Sequence, residues 1–262
     1  MEFRLHDLHL HSRLSSCAHD EELVPEYILK VAEENDYLQL CLTDHLWDPA
    51  VPGASDWYAP QDIEHVRQYA KLPKGEKVPF FFGCETELPM NGVLALTREN
   101  FDLFDFVVIP PNHIHMKNFV RPPEADTNEK LAKFIEDRLE ALLERDIPFR
   151  KVGIAHLTGM ILGGEKNANV CKYWSEARML RIFKGYAEAG AGIELNIGAF
   201  DEMEESPEII LMPYLAAKEA GCKFYLASDA HERAALGSVA NRGPAIIERL
   251  GLTAQHQYTI PV

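Results

Sequence analysis

The sequence predicts an α/β fold: a parallel sheet closed, or nearly closed, into a barrel and covered by helices, with residues 1–262 forming a single domain. Three observations predict it. Short apolar runs, polar turns and helix-length stretches alternate about seven times. The composition does not shift along the chain, so nothing marks a domain boundary. No glycine-rich phosphate loop follows the first strand, as an open doubly wound sheet would favour.

The elements follow in order. An apolar and polar alternation at 3–9 reads as the first strand, and Pro25 suits the first turn of a helix over 25–34. The run Leu-Gln-Leu-Cys-Leu-Thr gives a strand at 38–43, with a helix at 60–70 after it. Strands at 79–86 and 104–109 precede a long helix at 128–145. A strand at 152–155 leads to a helix at 173–189, which Gly190 caps. A strand at 192–195 is followed by a helix at 207–220, with Pro207 in its first turn and Gly221 at its end. A strand at 223–227 and a helix at 234–250 complete the series. Two connections, 46–60 and 157–174, are long and follow strands. A barrel places them at the C-terminal face of the sheet, where they suit lids or substrate walls.

Composition narrows the function. The formal net charge of −15 argues against binding a nucleic-acid polymer, which needs a basic footprint, but leaves a small phosphorylated substrate open. No run is long and apolar enough to span a bilayer, and none near Met1 resembles a secretory signal. The five cysteines form no C-x-x-C pair, and their odd number suits reduced thiols. A cytoplasmic protein without membrane association is the expectation.

The chemistry concentrates at the strand ends. His9 and His11 stand at the first, Asp44 and His45 at the second, Glu85 and Glu87 at the third, His113 and His115 after the fourth. His156 follows the fifth, Glu194 and Asn196 the sixth, and Asp229 and His231 the seventh. Side chains two apart on a strand face the same way, so His9 and His11, or Asp229 and His231, can face one ion together. Each piece alone is weak, since a lone His-x-His arises by chance. The joint pattern is not: eight of the eleven histidines fall at or just beyond strand ends, and only His6, His65 and His256 do not. Imidazole and carboxylate donors suit zinc, manganese or iron. No cysteine is expected among these ligands, so a closed structural zinc site is not expected. A carboxylate bridging two ions suits the two-metal chemistry of phosphatases, in which one ion generates hydroxide and another stabilises the phosphoryl oxygens.

Taken together, Asp-Leu-His-Leu-His-Ser from Asp7, Leu-Thr-Asp-His ending at His45, Gly-Cys-Glu ending at Glu85 and Ser-Asp-Ala-His ending at His231 resemble the polymerase and histidinol phosphatase (PHP) family. The resemblance runs in motif order from Asp7 to about Gly237. It implies a distorted (β/α)7 barrel with three divalent ions (zinc, manganese or iron) at the C-terminal ends of the strands. It implies that His9, His11, Glu85 and Asp229 hold the first ion, that Glu85 bridges to a second completed by His113 and His156, and that His19, His45 and His231 hold the third. His19 lies in Cys17-Ala18-His19, which resembles a Cys-Pro-His loop of some histidinol phosphatases but is slightly longer. Where those members carry Ser-x-His, this chain has Asn112-His113-Ile114-His115, so His113 is the expected ligand, with His115 as the alternative ligand or a substrate contact.

The expected activity is a metal-dependent phosphoesterase acting on a small phosphomonoester, histidinol phosphate or a related metabolite. Asp229 and His231 are the expected proton-handling groups. Arg13, Arg233 and Arg242 are candidate phosphate contacts, because guanidinium binds phosphate in a bidentate fashion. Trp47, Trp57 and Tyr58 either pack against the organic part of a substrate or anchor the loop to the barrel. Asp7 either orients a liganding histidine or fills a barrel layer, and Glu87, Glu194 and Asn196 are candidate supports for the ligands. The alternatives are a nucleotide phosphodiesterase, an amidohydrolase-like enzyme and a non-catalytic metal-binding module. The amidohydrolase reading needs a bridging lysine that no strand end provides, and the module should lack ligands that are here present.

Overall fold

The computed structural model describes residues 2–159 and 166–261. The stretch 160–165 of the long connection expected at 157–174 lies outside the described residues.

Six strands form one parallel series. They are β1 (Leu40–Leu42), β3 (Phe80–Thr86), β4 (Phe106–Ile109), β5 (Val152–Ile154), β6 (Gly192–Asn196) and β7 (Lys223–Ala227), adjacent in that order. A two-residue strand that the sequence did not announce, β2 (His45–Leu46), pairs with the end of β3 and puts His45 beside Glu85 in register. The helices are α1 (Pro25–Glu34), α2 (Ile63–Val66), α3 (Asn128–Leu143), α4 (Ala168–Cys171), α5 (Glu176–Ala189), α6 (Pro207–Glu219) and α7 (Ser238–Leu250). Pro25 and Pro207 open their helices, and Gly190 ends α5 in the left-handed conformation, all as expected. The last helix begins four residues later than expected. Arg233–Ala235 forms a separate 3-10 turn, and Gly237, at φ +80°, breaks the path before Ser238.

The expected first strand is the instructive departure. Segment 3–9 is extended but carries only an isolated parallel bridge, Asp7 to Leu40. It nonetheless lies between the sheet's two edges. On the β1 side, Leu38 and Cys41 N–H donate to the Leu5 and Asp7 carbonyls, at 2.7 and 2.9 Å. On the β7 side, Leu8 N–H donates to Leu226 O at 3.1 Å and Asp229 N–H to His9 O at 2.8 Å. Regular pairing fails because side chains take ladder positions. His6 Nε2 accepts from Leu226 N–H at 3.0 Å, Asp7 Oδ1 accepts from Ser228 N–H at 3.0 Å, and Thr43 Oγ1 accepts from Leu10 N–H at 3.1 Å. The curled sheet is therefore closed by hydrogen bonds that only partly follow a strand ladder.

Strand alternation sorts the side chains into two cores. Val107, Ile109, Val152, Ile154, Ile193, Leu195, Phe224 and Leu226 pack outward into the large core shared with the helices. Leu8, Cys41, Phe106, Val108 and Tyr225 fill the barrel interior. Glycines make room for these rings: a Cβ on Gly153 would stand 2.4 Å from Tyr225 Oη and 2.5 Å from Phe106 Cζ. The C-terminal tail plugs the end where the strands begin. Tyr258 and Ile260 join the interior core, and Gln39 exchanges two hydrogen bonds with the Ile260 backbone.

Two outcomes test this arrangement. Gly153→Ala overpacks the interior and should cost about 1–3 kcal/mol in urea unfolding; an unchanged midpoint would show that the rings give way freely. His6 is buried, and burial outweighs its hydrogen bond to the Arg4 carbonyl, so its pKa falls from 6.5 to about 4. Between those values the unfolded chain binds the proton and the fold does not, so this contribution is whole above pH 6.5 and is lost as pH falls toward 4. Relative to His6→Gln, the wild type should lose up to about 3 kcal/mol across that window; parallel stability curves for the two proteins would contradict this.

Candidate metal centre

The inward lanes of the strands change from apolar to polar as they approach the C-terminal face. On β3 the inward lane passes from Phe81 through Gly83 to Glu85, on β6 from Gly192 to Glu194 and Asn196, and past β7 it reaches Asp229. His9, His11, Glu85, His156 and Glu194 are all at most 2% exposed, a degree of burial that isolated polar groups do not sustain. A cavity of about 500 Å3 opens over this layer.

The imidazoles are held with one nitrogen outward and the other inward. His9 Nδ1–H donates to Glu194 Oε1 at 2.6 Å, and His113 Nδ1–H donates to Glu87 Oε2 at 2.8 Å. Ser15 Oγ–H donates to Asp44 Oδ1 at 2.7 Å, so Ser15 Oγ accepts from His11 Nδ1–H at 3.0 Å. These partners fix the tautomers and turn the Nε2 lone pairs inward. His9 Nε2 and His11 Nε2 then face each other at 3.2 Å. Two lone pairs at that distance repel unless a cation, either a proton or a metal ion, lies between them.

The spacing fits a metal ion. Ligands sharing a tetrahedral ion at about 2.1 Å stand about 3.4 Å apart. Glu85 Oε2 is 3.5 Å from both His9 Nε2 and His11 Nε2, while Asp229 Oδ1 is 3.6 and 3.2 Å from the same two atoms. Each carboxylate turns its other oxygen to a second group of donors. Glu85 Oε1 is 3.6 Å from His113 Nε2 and 3.9 Å from His156 Nε2, and Asp229 Oδ2 is 3.2 Å from His156 Nε2. His11, His45 and His231 form a further group with mutually close ligand atoms. Both Glu85 oxygens, His45 Nδ1 and His156 Nε2 are buried and form no well-aligned hydrogen bond among the described residues, although His45 Nδ1 stands 2.9 Å from Glu85 Oε2. Bound cations would satisfy all four atoms, so the residues present fit a multinuclear site.

Charge coupling within the layer is strong. Burial alone would lower the pKa of His9, but the carboxylates of Glu194, Glu85 and Asp229 outweigh it and hold His9 well above the usual range. Burial likewise pushes Asp229 up, and His9, His11 and His156 overcome it and hold the carboxyl well below the usual range. A metal ion must displace protons from such a cluster, so its affinity drops as pH is lowered.

Backbone geometry aims two of these groups. His156 and Asp229 have φ of +57° and +53°, left-handed values uncommon outside glycine. Asn112 holds the first turn in place through hydrogen bonds to the His156 and Gly159 carbonyls. Arg138 on α3, almost fully buried, donates to the carbonyls of Leu88, Pro89 and Pro111, tying together the loops that carry Glu87 and His113. Asp7 accepts from the Ser228 and His9 N–H groups, so it fixes the backbone at the barrel seam and orients no imidazole. Ser15, Asp44 and Arg138 were not singled out as supports in the sequence, because serine, aspartate and arginine are common and only the fold brings them under the ligands.

The structure gathers His9, His11, His45, Glu85, His113, His156, Asp229 and His231. His113 points its Nε2 into the cluster, while His115 lines the cavity beside it, their ring centroids 5.4 Å apart. His19 is exposed and belongs to none of the close donor groups among the described residues; it lines a neighbouring depression shared with Asp229 and His231. Cys17, which the sequence did not place near the ligands, comes close to two of them but belongs to none of the close donor groups among the described residues. Cys17 lines the cavity and hydrogen-bonds His231 and His45; burial would raise its pKa, but those contacts bring the thiol down to about 7.

The arginines are placed elsewhere. Arg13 donates to Tyr69 and Glu21, Arg233 pairs with Asp20 and Glu22, and Arg242 pairs with Asp201 at 2.7 Å. None of the three lines the cavity. Carboxylates close in sequence or brought near by the fold compete for each guanidinium, which a motif alone does not reveal. Of the aromatic candidates, Trp57 and Tyr58 line the cavity with Met116, and Trp47 is buried and anchors the loop through Nε1–H to Val51 O at 2.8 Å.

No family model matches the chain, and no curated protein is similar to it in sequence. Its fold is similar to that of solved histidinol phosphate phosphatase structures. One, from Lactococcus lactis subsp. lactis, superposes with a TM-score of 0.62 at 15% identity, covering 98% of this chain and 99% of that one. A candidate histidinol phosphatase from Listeria monocytogenes gives 0.57 at 14% identity, over 88% of this chain and 97% of that one. At these identities the likeness defines the fold, a distorted barrel of the type the motifs imply, with its polar layer at the C-terminal ends of the strands.

Glu194, which also stands in a close donor group with His9 and His156, provides a test of the support behind His9. Glu194→Gln weakens the acceptor that holds His9 and the His156 N–H, so zinc affinity measured against a competing chelator should fall about 10–100-fold. Unchanged affinity would remove Glu194 from the support of the centre.

Proposed function

We propose that the chain is a metal-dependent hydrolase of phosphate esters, acting on a small phosphomonoester such as histidinol phosphate or a related metabolite. The observation that carries the reading is the division of the Glu85 and Asp229 oxygens between two adjacent groups of histidines. That arrangement suits a pair of ions sharing two carboxylates, with His9 and His11 on one side and His113 and His156 on the other. His45 and His231 would contribute to a third. The fold adds support: the Lactococcus phosphatase it is similar to was crystallised with zinc, L-histidinol and phosphate.

Divalent zinc, manganese or iron bound here would supply a nucleophile at neutral pH and neutralise phosphoryl oxygens. The chain's own residues would do the rest. His231 Nδ1–H donates to the Asp229 carbonyl at 2.8 Å, which leaves Nε2 either to join the third ion or, with that ion absent, to take up or release a proton at the cavity. Asp229 lies beside it at the floor of the cavity. Trp57, Tyr58 and Met116 form an apolar wall for the organic part of the ester, and His115 stands at the edge as a polar contact. Among the described residues no lysine lines the cavity, which disfavours a carbamylated-lysine hydrolase. With no arginine there either, the ester's negative charge falls to the ions and imidazoles.

The test is hydrolysis of a panel of phosphomonoesters, including histidinol phosphate, alongside phosphodiesters and amides, after loading with each metal. Phosphomonoester turnover should require metal and fall more than about 100-fold in His9→Ala and Asp229→Ala. Metal-loaded protein that cleaves amides but no phosphate ester would overturn the proposal, as would activity that survives both substitutions.

A further inference from the structure

We infer that Cys17, rather than His19, completes the third cation site, giving a thiolate–imidazole site with His45 and His231. This rests on the reading of the cavity as a metal centre and sharpens it at one ligand. The thiol hydrogen-bonds both imidazoles and lines the same cavity. His45 is 7% exposed, lines that cavity and belongs with His231 to a close group of donor atoms that does not depend on the cysteine, while its Nδ1 stands 2.9 Å from Glu85 Oε2. His231 spends Nδ1 on the Asp229 carbonyl and keeps Nε2 available. His11 belongs to the same close group, but its Nε2 already stands 3.2 Å from Asp229 Oδ1 and 3.5 Å from Glu85 Oε2, in the first site. The third site therefore needs a donor of its own.

The loop supplies one in a fixed position. Ala18 N–H donates to Ser15 O at 2.8 Å, Ser16 N–H donates to Gln61 Oε1 at 2.8 Å, and Ser15 Oγ is itself tied to Asp44, His11 and the His45 N–H. That turn presents Cys17 to the cavity and leaves His19 exposed. Binding a divalent ion releases the thiol proton to solvent, and one thiolate with two imidazoles leaves a coordination position open. A sulfur ligand makes this site softer than the nitrogen and oxygen sites beside it, and biases it toward zinc or iron(II) over manganese.

The probe is cobalt(II). The full-length protein loaded with cobalt should show a sulfur-to-cobalt charge-transfer band in the near ultraviolet. Cys41, Cys84, Cys171 and Cys222 are buried in the two cores, which leaves Cys17 as the accessible thiol. Cys17→Ser should lose the band and bind the weakest-held cobalt at least about tenfold less tightly, while His19→Ala should keep the band. Cobalt bound by the wild type without the band, or a band that persists in Cys17→Ser, would overturn the assignment and leave the other sites standing. Failure of the wild type to retain any cobalt would overturn both the assignment and the metal-centre reading beneath it.

Discussion

Glu85 is a carboxylate held almost completely out of water with neither oxygen in a well-aligned hydrogen bond. Such a group is costly to bury alone, and its cost is offset only by positive charge placed around it. Oε2 faces His9, His11 and His45, and Oε1 faces His113 and His156. Three of those imidazoles, His9, His11 and His113, are fixed from behind by Glu194, Ser15 and Glu87, which leaves their other nitrogens directed into the layer. Neutral imidazoles so arranged would repel. The layer is consistent only when cations, protons or metal ions, lie among the imidazoles, and the carboxylates and Ser15 behind them are themselves buried and hydrogen-bonded.

The barrel makes this layer affordable by separating it from an apolar one. Phe106, Tyr225 and Tyr258 fill the lower interior, where Gly153 and Gly192 leave room for the rings. Polar side chains begin one step higher on the same inward lanes. The seam of the barrel carries the greatest burden, because segment 5–11 must close the sheet and also present His9 and His11. It does so with His6 and Asp7 accepting backbone N–H groups from 226 and 228, so two polar side chains replace ladder partners where a regular strand would turn residues by strict alternation. Closure and ligand placement are thus one set of hydrogen bonds.

Much of this was legible in the sequence, for physical reasons. Helix starts at Pro25 and Pro207 and the left-handed end at Gly190 are local, and local rules found them. The eight gathered donors were legible because all stand at or just beyond strand ends; alternation pairs His9 with His11 and Asp229 with His231, and the family resemblance implied how the rest are grouped. What local rules miss is competition between distant groups. Arg233 reads as a phosphate ligand until the fold brings Asp20 and Glu22 against it. His19 and Cys17 are two residues apart, and only the anchoring of their loop by Ser15 and Gln61 decides which of them reaches the cavity. The first strand escaped regular pairing because its own side chains took the ladder positions, which alternation alone does not signal.

The same competition bears on how an anion is recognised. The chain has a formal net charge of −15, and among the described residues the cavity is lined by no lysine or arginine. Its walls are instead apolar at Trp57, Tyr58 and Met116, with His45 edge-on to Trp57 at 5.1 Å between ring centroids. An approaching phosphate therefore meets a negative field with no guanidinium to oppose it. On the proposed reading the bound ions reverse that field locally, since cations are the largest charges a site of this kind contains. Ion occupancy then governs substrate binding as well as chemistry, and the organic part of the ester is selected by shape against the aromatic wall. Arg13, Arg233 and Arg242, each already paired with a carboxylate, stay out of the cavity.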